Sequence, residues 1–253
     1  MFATGRGVPK DEAEAVRWFL KAAEQGQAKA QYSLGISYDF GRGVSKDEVE
    51  AARWYRKAAE QGLAKAQYNL GAMYSGGQGV SKDEAEAARW FRRAAEQGLA
   101  DAQLNLGGMY AEGLGVSKDQ AEAGRWFRRA AEQGLADAQL NLGGMYAEGL
   151  GVFKDEAEAA RWVRKAAEQG NANAQSALGA IYLAGKGITK DEVEAYKWFL
   201  LAGAQGHENA RKAIALCDRR LPASMRAEGQ RLARDWKPRK YPSPDTVTSP
   251  GKR

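Results

Sequence analysis

Apolar residues recur along the chain in helical stripes, and the stripes themselves recur every 36 positions. Trp18, Trp54, Trp90, Trp126, Trp162 and Trp198 keep that spacing, as do Gly26, Gly62, Gly98, Gly134, Gly170 and Gly206. Six copies of one unit therefore fill the chain to about residue 206. Each unit reads as two helices. In the second, Ala51, Trp54, Tyr55 and Ala58 form one apolar stripe. Asp47 and Glu50 ahead of it fit a capping box, in which the Asp accepts from the third helical N–H and the Glu reaches back to the cap. Asp11/Glu14, Asp83/Glu86, Asp119/Glu122, Asp155/Glu158 and Asp191/Glu194 repeat the pair. Gly62 supplies the left-handed residue that ends the helix. The first helix of a unit carries Ala30, Leu34 and Tyr38, with Gly35 on its flank where a backbone is expected to approach closely. Gly41, Gly43 and Val44 then turn the chain back, the valine plugging the turn.

One such pair cannot bury its apolar face alone, so neighbouring pairs must stack. The expected fold is all-α: a right-handed α-solenoid of helix-turn-helix repeats, its first helices lining the concave side. Twelve repeat helices and one final helix are predicted. The array spans 1–220, with a truncated first copy and a degenerate last one. Pro222, Met225, Gly229, Leu232 and Trp236 mark one face of a capping helix over 221–236. The stretch 237–253, with four of the six prolines, reads as a disordered basic tail. Trp90–Asp119 and Trp126–Asp155 differ only at Ser117 against Phe153, the mark of a recent duplication.

Charge and rare residues narrow the chemistry. Residues 207–253 hold 12 Lys/Arg against 5 Asp/Glu, leaving 26 against 27 for residues 1–206, so the overall +6 sits in the tail. A neutral body argues against a nucleic-acid surface. The single Cys217 and single His207 leave no internal disulfide and no thiolate or imidazole metal cage. No run approaches the roughly 18 apolar residues of a membrane helix, so the chain is not expected to be transmembrane. Met1–Glu12 has no secretory apolar stretch. The location expected of the chain as it stands is cytoplasmic; a signal peptide ahead of Met1 would make it periplasmic or secreted. Met1 and Phe2 align with Met73 and Tyr74, placing the start inside a first helix.

No catalytic, cofactor or metal residue emerges. The pairs Gly41/Gly43, Gly77/Gly79, Gly113/Gly115 and Gly149/Gly151 lack the Gly-Lys-Ser/Thr ending of a phosphate loop and read as turns. Ser249-Pro250-Gly251-Lys252 matches S-x-x-K by chance, without partner motifs. The tryptophans read as core, Asp47 and Glu50 as a cap, His207 as a variable surface position, and Cys217 as a small buried apolar residue. The informative positions are those where copies disagree. On the first helices, one stripe opposite the apolar side reads Lys29, Tyr32, Ser33, Ile36; Lys65, Tyr68, Asn69, Ala72; Asp101, Leu104, Asn105, Gly108; Asp137, Leu140, Asn141, Gly144; Asn173, Ser176, Ala177, Ala180. This candidate partner-binding groove is basic and aromatic at one end, acidic and aliphatic in the middle. Asn69, Asn105 and Asn141 stand mid-helix, where Asn costs about 0.5 to 0.7 kcal/mol against Ala. Either they bond the backbone of an extended peptide, or each satisfies a neighbouring turn.

The segment AKAQYNLGAMYSGGQGVSKDEAEAARWFRRAAEQG, residues 64–98, resembles the Sel1-like repeat, a relative of the tetratricopeptide repeat. Its A-x-x-x-L-G-x-x-Y, G-x-G-V, D, A-x-x-W-[FY], AA and G signature recurs over about residues 1–220. The resemblance implies a non-enzymatic scaffold or adaptor that binds a protein or peptide, in bacteria as well as eukaryotes, and implies no cofactor. Two alternatives stand beside it. One is a β-lactamase-like hydrolase of the cysteine-rich kind, which lacks its paired cysteines here. The other is an adaptor whose basic C-terminus meets an acidic partner or anionic lipid.

Overall fold

A computed structural model describes residues 11–239. Among them are thirteen helices of 13 residues each and no strand. They fall into two compact units, 1–119 and 120–253. The first holds α1 (Glu12–Glu24), α2 (Ala28–Phe40), α3 (Glu48–Glu60), α4 (Ala64–Gly76), α5 (Glu84–Glu96) and α6 (Ala100–Glu112). The second holds α7 (Gln120–Glu132), α8 (Ala136–Glu148), α9 (Glu156–Glu168), α10 (Ala172–Ala184), α11 (Glu192–Ala204), α12 (Glu208–Arg220) and α13 (Ala223–Asp235). Even-numbered helices through α12 are the first helices of the repeat and odd-numbered ones through α11 the second. The fold class is the all-α repeat solenoid.

The caps form by half of the expected mechanism. Asp47 Oδ1 accepts from the Val49 and Glu50 N–H groups at 3.0 Å each, Asp155 does likewise for α9, and Asp83 accepts from the Glu86 N–H at the start of α5. Glu50 does not reach back. The Asp47 N–H already donates to the Tyr38 carbonyl at 2.9 Å, so the Glu50 carboxylate turns outward to Arg53 at 3.2 Å. The same division recurs at Asp83 with Tyr74 and at Asp155 with Tyr146.

Glycine placement also differs from the sequence expectation. At Gly35 the neighbour is a ring: a Cβ there would lie 2.5 Å from Tyr55 Cδ1. Gly71 faces Phe91 and Gly179 faces Phe199 in the same way. The close backbone approach belongs to the second turn glycine. Gly43, at φ +73°, lies against the Glu12 carbonyl, where any Cβ would collide. Each turn thus rests on the start of the preceding second helix, and Val44 and Val80 fill the space beneath, packed on the cores.

Those cores join one pair to the next. In the first unit Trp54 is buried with Val16 and Ala23 of α1, in the copy before, and with Ala30 and Leu34 of α2. Trp90 is likewise buried with Ala51, Tyr55, Ala58, Leu70 and Met73. In the second unit Trp198 lies among Val163, Ala166, Ala174 and Leu178. Trp18, with no such cover among the described residues, is 53% exposed.

A buried polar ladder runs beside the tryptophans. Gln31, Gln67, Gln139 and Gln175 are at most 5% exposed. Gln31 Nε2 donates to the Ala23 carbonyl at 3.1 Å, and its Oε1 accepts from Gln61 Nε2 at 2.7 Å. Gln67 bridges Ala59 and Gln97 at 3.0 and 2.7 Å. In the second unit Gln139 bridges Ala131 and Gln169, and Gln175 bridges Ala167 and Gln205. Both demands of each buried amide are met.

The second unit ends differently from its repeats. Tyr196 stands where Ala52, Ala88 and Ala160 stand in other copies. Its ring meets Gly229 of α13, and its hydroxyl donates to Asp218 at 2.6 Å. Met225 packs on the same cluster, together with the buried Cys217 and Leu221. Beyond α13 the Trp236 ring meets Trp198 edge-on at 6.0 Å. The Arg239 N–H then donates to the Glu168 carbonyl at 2.8 Å, and its guanidinium pairs with the Glu168 carboxylate at 2.9 Å. The remainder of the expected tail, 240–253, lies outside the described residues, as does 1–10.

Gln67→Leu is expected to destabilise the chain by about 1–3 kcal/mol despite its added apolar surface, because it removes two hydrogen bonds that tie neighbouring helices together, those to the Ala59 carbonyl and the Gln97 amide. Chemical denaturation followed by circular dichroism checks this; a neutral or stabilising result would show that the ladder does not hold the pairs together.

Candidate functional site

In the first unit the variable stripe runs along α2, α4 and α6, on the side away from the buried Ala30, Leu34, Ala66, Leu70, Ala102 and Leu106. Lys29, Lys65 and Asp101 are exposed at the helix starts, and Tyr32, Tyr68, Leu104, Asn69 and Asn105 are half-buried. The tyrosine rings lean on second-helix aromatics, Tyr32 on Tyr55 at 5.8 Å and Tyr68 on Phe91 at 5.7 Å. Their hydroxyls meet the amides of the next first helix, Tyr32 with Asn69 and Tyr68 with Asn105. Each of these two amides thus lies beside a tyrosine of the preceding copy.

Burial pushes the phenols of Tyr32 and Tyr68 up from the usual value, the Asp101 charge raises Tyr68 further, and each asparagine bond works in the opposite sense. Tyr55, deeper and donating to Asp39 at 3.3 Å, is raised well above the ordinary tyrosine range by burial and then by the Asp39 charge.

In the second unit the stripe continues on α8 and α10. Asp137 is not free, because its carboxylate accepts from Asn171 Nδ2 at 2.7 Å while Asn171 Oδ1 caps α10. Leu140 is half-buried, packed at the edge of the Trp198 cluster. Asn141 and Asn173 are exposed, and Asn141 has no hydrogen-bond partner among the described residues.

The other candidates take structural roles. Trp54, Trp90, Trp126 and Trp162 are 6–7% exposed, and each carries a cation over its ring: Lys57 at 4.2 Å, Arg93 and Arg129 at 4.5 Å, Lys165 at 3.9 Å. No ring face remains for a ligand. Their indole N–H groups lack partners, whereas the Trp198 N–H donates to Glu194 at 3.0 Å. Glu194 also pairs with Lys197 at 3.1 Å, where the corresponding glutamates of the four copies pair with an arginine.

Gly41 and Gly149 are left-handed helix stops. His207 Nδ1 accepts the Ala210 N–H at 3.2 Å, which makes it a cap. Cys217 is buried, and burial raises its thiol pKa, away from nucleophilic use. No group of three or more His, Cys, Asp or Glu among the described residues is placed to hold a metal, and no described helix is long and apolar enough to cross a membrane. Ser249 and Lys252 lie outside the described residues. The amide ladder of Gln31 and its copies is the feature that the hydrophobic pattern does not reveal; its signal is a polar residue unchanged in every copy.

Comparison with known proteins follows the repeat. The Sel1 repeat family model matches residues 1–27, 28–63, 64–99, 100–135, 136–171 and 172–207. Among solved structures, a protective antigen of uropathogenic Escherichia coli strains displaying an SLR fold is 39% identical with a TM-score of 0.84, over 92% of this chain and 50% of that one. A Sel1 repeat protein from Oxalobacter formigenes is 38% identical with a TM-score of 0.75, over 85% of this chain and 62% of that one. The chain thus spans half to three fifths of the length of these relatives. A search of the curated proteins finds no match.

A phenol raised by burial favours the protonated, folded state, and that contribution is lost as pH rises above the unfolded tyrosine value of about 10. Alkaline titration of tyrosinate absorbance should show Tyr32, Tyr55 and Tyr68 ionising late. Asn69→Ala should delay Tyr32 further by removing the bond that lowers it; an earlier ionisation in that variant would contradict the pairing.

Proposed function

Because this chain belongs to the Sel1 repeat family, whose members are generally protein-interaction scaffolds, we propose that it is a non-enzymatic scaffold binding an extended peptide or protein segment along the first helices of its repeats. One observation carries the reading: on the first helices the constant Ala30, Gln31, Leu34 and Gly35 and their copies are buried, while the variable stripe stands half or fully exposed. A fold that needed only stability would have no use for a mid-helix asparagine whose side chain has no partner among the described residues. Asn141 is such a residue, with a donor and an acceptor both available to a main chain. Lys29 and Lys65 offer cations to one part of the partner, and Asp101 offers an anion to another. Tyr32 and Tyr68 add rigid amphipathic surface of the kind that dominates interface energetics.

The test uses a peptide selected from a random displayed library against the intact chain. Asn141→Ala should weaken its binding about two- to twelvefold, the loss of one net hydrogen bond of about 0.5–1.5 kcal/mol. The unfolding midpoint should hold or rise, since alanine is the better helix former. Unchanged affinity for Asn141→Ala, Tyr32→Ala and Tyr68→Ala alike would refute binding along the first helices.

A further inference from the structure

The second unit holds a peptide segment of its own against the outside of its helices. The backbone leaves α13 extended, with Trp236 at φ −71° and ψ 140°, and Pro238 disfavours a helical conformation at Lys237. Trp236 meets the Trp198 ring edge-on, and a Cβ at Gly170 would touch both Trp236 Cη2 and Pro238 Cβ at 3.8 Å. Arg239 binds Glu168 twice, through its backbone N–H at 2.8 Å and its guanidinium at 2.9 Å. The surface under this strap differs from its copies. Lys197 lies over the Trp198 ring at 4.6 Å, but three positions after the tryptophan, where Lys57, Arg93, Arg129 and Lys165 supply their cations, stands Leu201. It is half-buried on the same cluster as Trp236. A Cβ at Gly62, Gly98 or Gly206, the equivalents of Gly170, would meet no neighbour within 4 Å among the described residues. The strap is not what covers Tyr196 and its cluster, because α13 does that with Gly229 and Met225. One half-buried ring and one exposed ion pair hold it, a contact small enough to open while the helices stay packed.

We propose that the surface of Trp198, Leu201, Gly170 and Glu168 is a binding site for an extended Trp-x-Pro-Arg segment of a partner protein, and that the strap is the internal ligand which such a segment displaces. The strap displays the recognition chemistry. Its tryptophan supplies the apolar anchor, and its proline presets an extended backbone, so little conformational freedom is lost on binding. Its arginine is read by main chain and charge together. The Glu168 carbonyl belongs to the last turn of α9, where a helix leaves carbonyls unpaired, and the helix dipole favours a cation there. Lys237 is exposed and leaves its position open to any residue. Because the strap is tethered, its effective concentration is roughly millimolar, and a partner segment enters only by competing with it. None of these residues belongs to the first-helix stripe, so the site stands or falls separately from peptide binding at Asn141.

The probe is a fluorescein-labelled, amidated peptide of residues 234–239, RDWKPR, titrated by fluorescence anisotropy into the full chain and into two variants that loosen the strap, Trp236→Ala and Arg239→Glu. Saturable binding to both variants, and binding about tenfold weaker or more to the unaltered chain, is the expected result, since there the strap competes. Arg239→Glu changes an exposed side chain alone, so the outcome does not depend on the stability of Trp236→Ala. The same peptide with glutamate in place of its arginine should not bind either variant. Adding Glu168→Arg to Trp236→Ala should restore binding of that glutamate peptide and abolish binding of the original one. No saturable binding to Arg239→Glu up to about 1 mM peptide, equal affinity for the unaltered chain and both variants, or equal binding of the two peptides would each overturn the proposal.

Discussion

The described structure depends on one contact made again and again: the tryptophan of a second helix driven into the pair of helices before it. Trp54 sits among Val16 and Ala23, from the copy before, and Ala30 and Leu34 of its own first helix. Truncation of a buried tryptophan costs about 3–5 kcal/mol, a large part of what so small a unit can gain from burial. The apolar face of a helix pair is therefore completed only with the second helix of the copy before it. The remaining features serve that contact. Glycine at 35 and 71 lets the aromatic residue beside the tryptophan lie flat on the first helix, and the cations at 57 and 93 cover the outer ring face. The glutamine ladder satisfies the polar groups that this close stacking cuts off from water.

Helix existence, order and ends were legible because each depends on residues close in sequence. A stripe at helical spacing with a glycine after it marks α1 to α11, with an aspartate before each second helix, while α12 and α13 are marked by their stripes alone. What escaped depends on residues far apart. The return limb of the capping box fails at Glu50 because the Tyr38 carbonyl, nine positions earlier, already holds the Asp47 N–H. The close approach at Gly35 is to a ring twenty positions later, not to a backbone. Gln31 went unnoticed because hydrophobic periodicity is blind to polar residues whose partners lie in the core.

The candidate groove was legible in part for the same reason. That Lys29, Lys65 and Asp101 stand exposed follows from helical spacing alone. That Asn69 and Asn105 meet tyrosines depends on how consecutive first helices sit side by side, and no local rule states it. Asp137 and Asp101 occupy equivalent positions in nearly identical copies. Only Asp137 is bonded to a cap, because Asn171 replaces the leucine found at 63 and 99. Equivalent positions in a repeat protein are thus not equivalent sites, and the non-equivalence comes from the copy that follows.

The turn glycines constrain how such a chain changes over generations. Gly43 rests on the start of α1, and Gly79 stands in the same way on the start of α3, so every joint is measured against the copy before it. An insertion of a few residues inside a copy would lift that joint off its seat and break the register of every amide rung and tryptophan beyond. A whole copy can be added or lost with every joint remade as before. The near-identical segments at 90–119 and 126–155, offset by one full period, are the trace of such an event. Length in this architecture is quantised, and lineages of these arrays should differ by entire copies, with point substitutions such as Ser117 against Phe153 accumulating only after the copying is done.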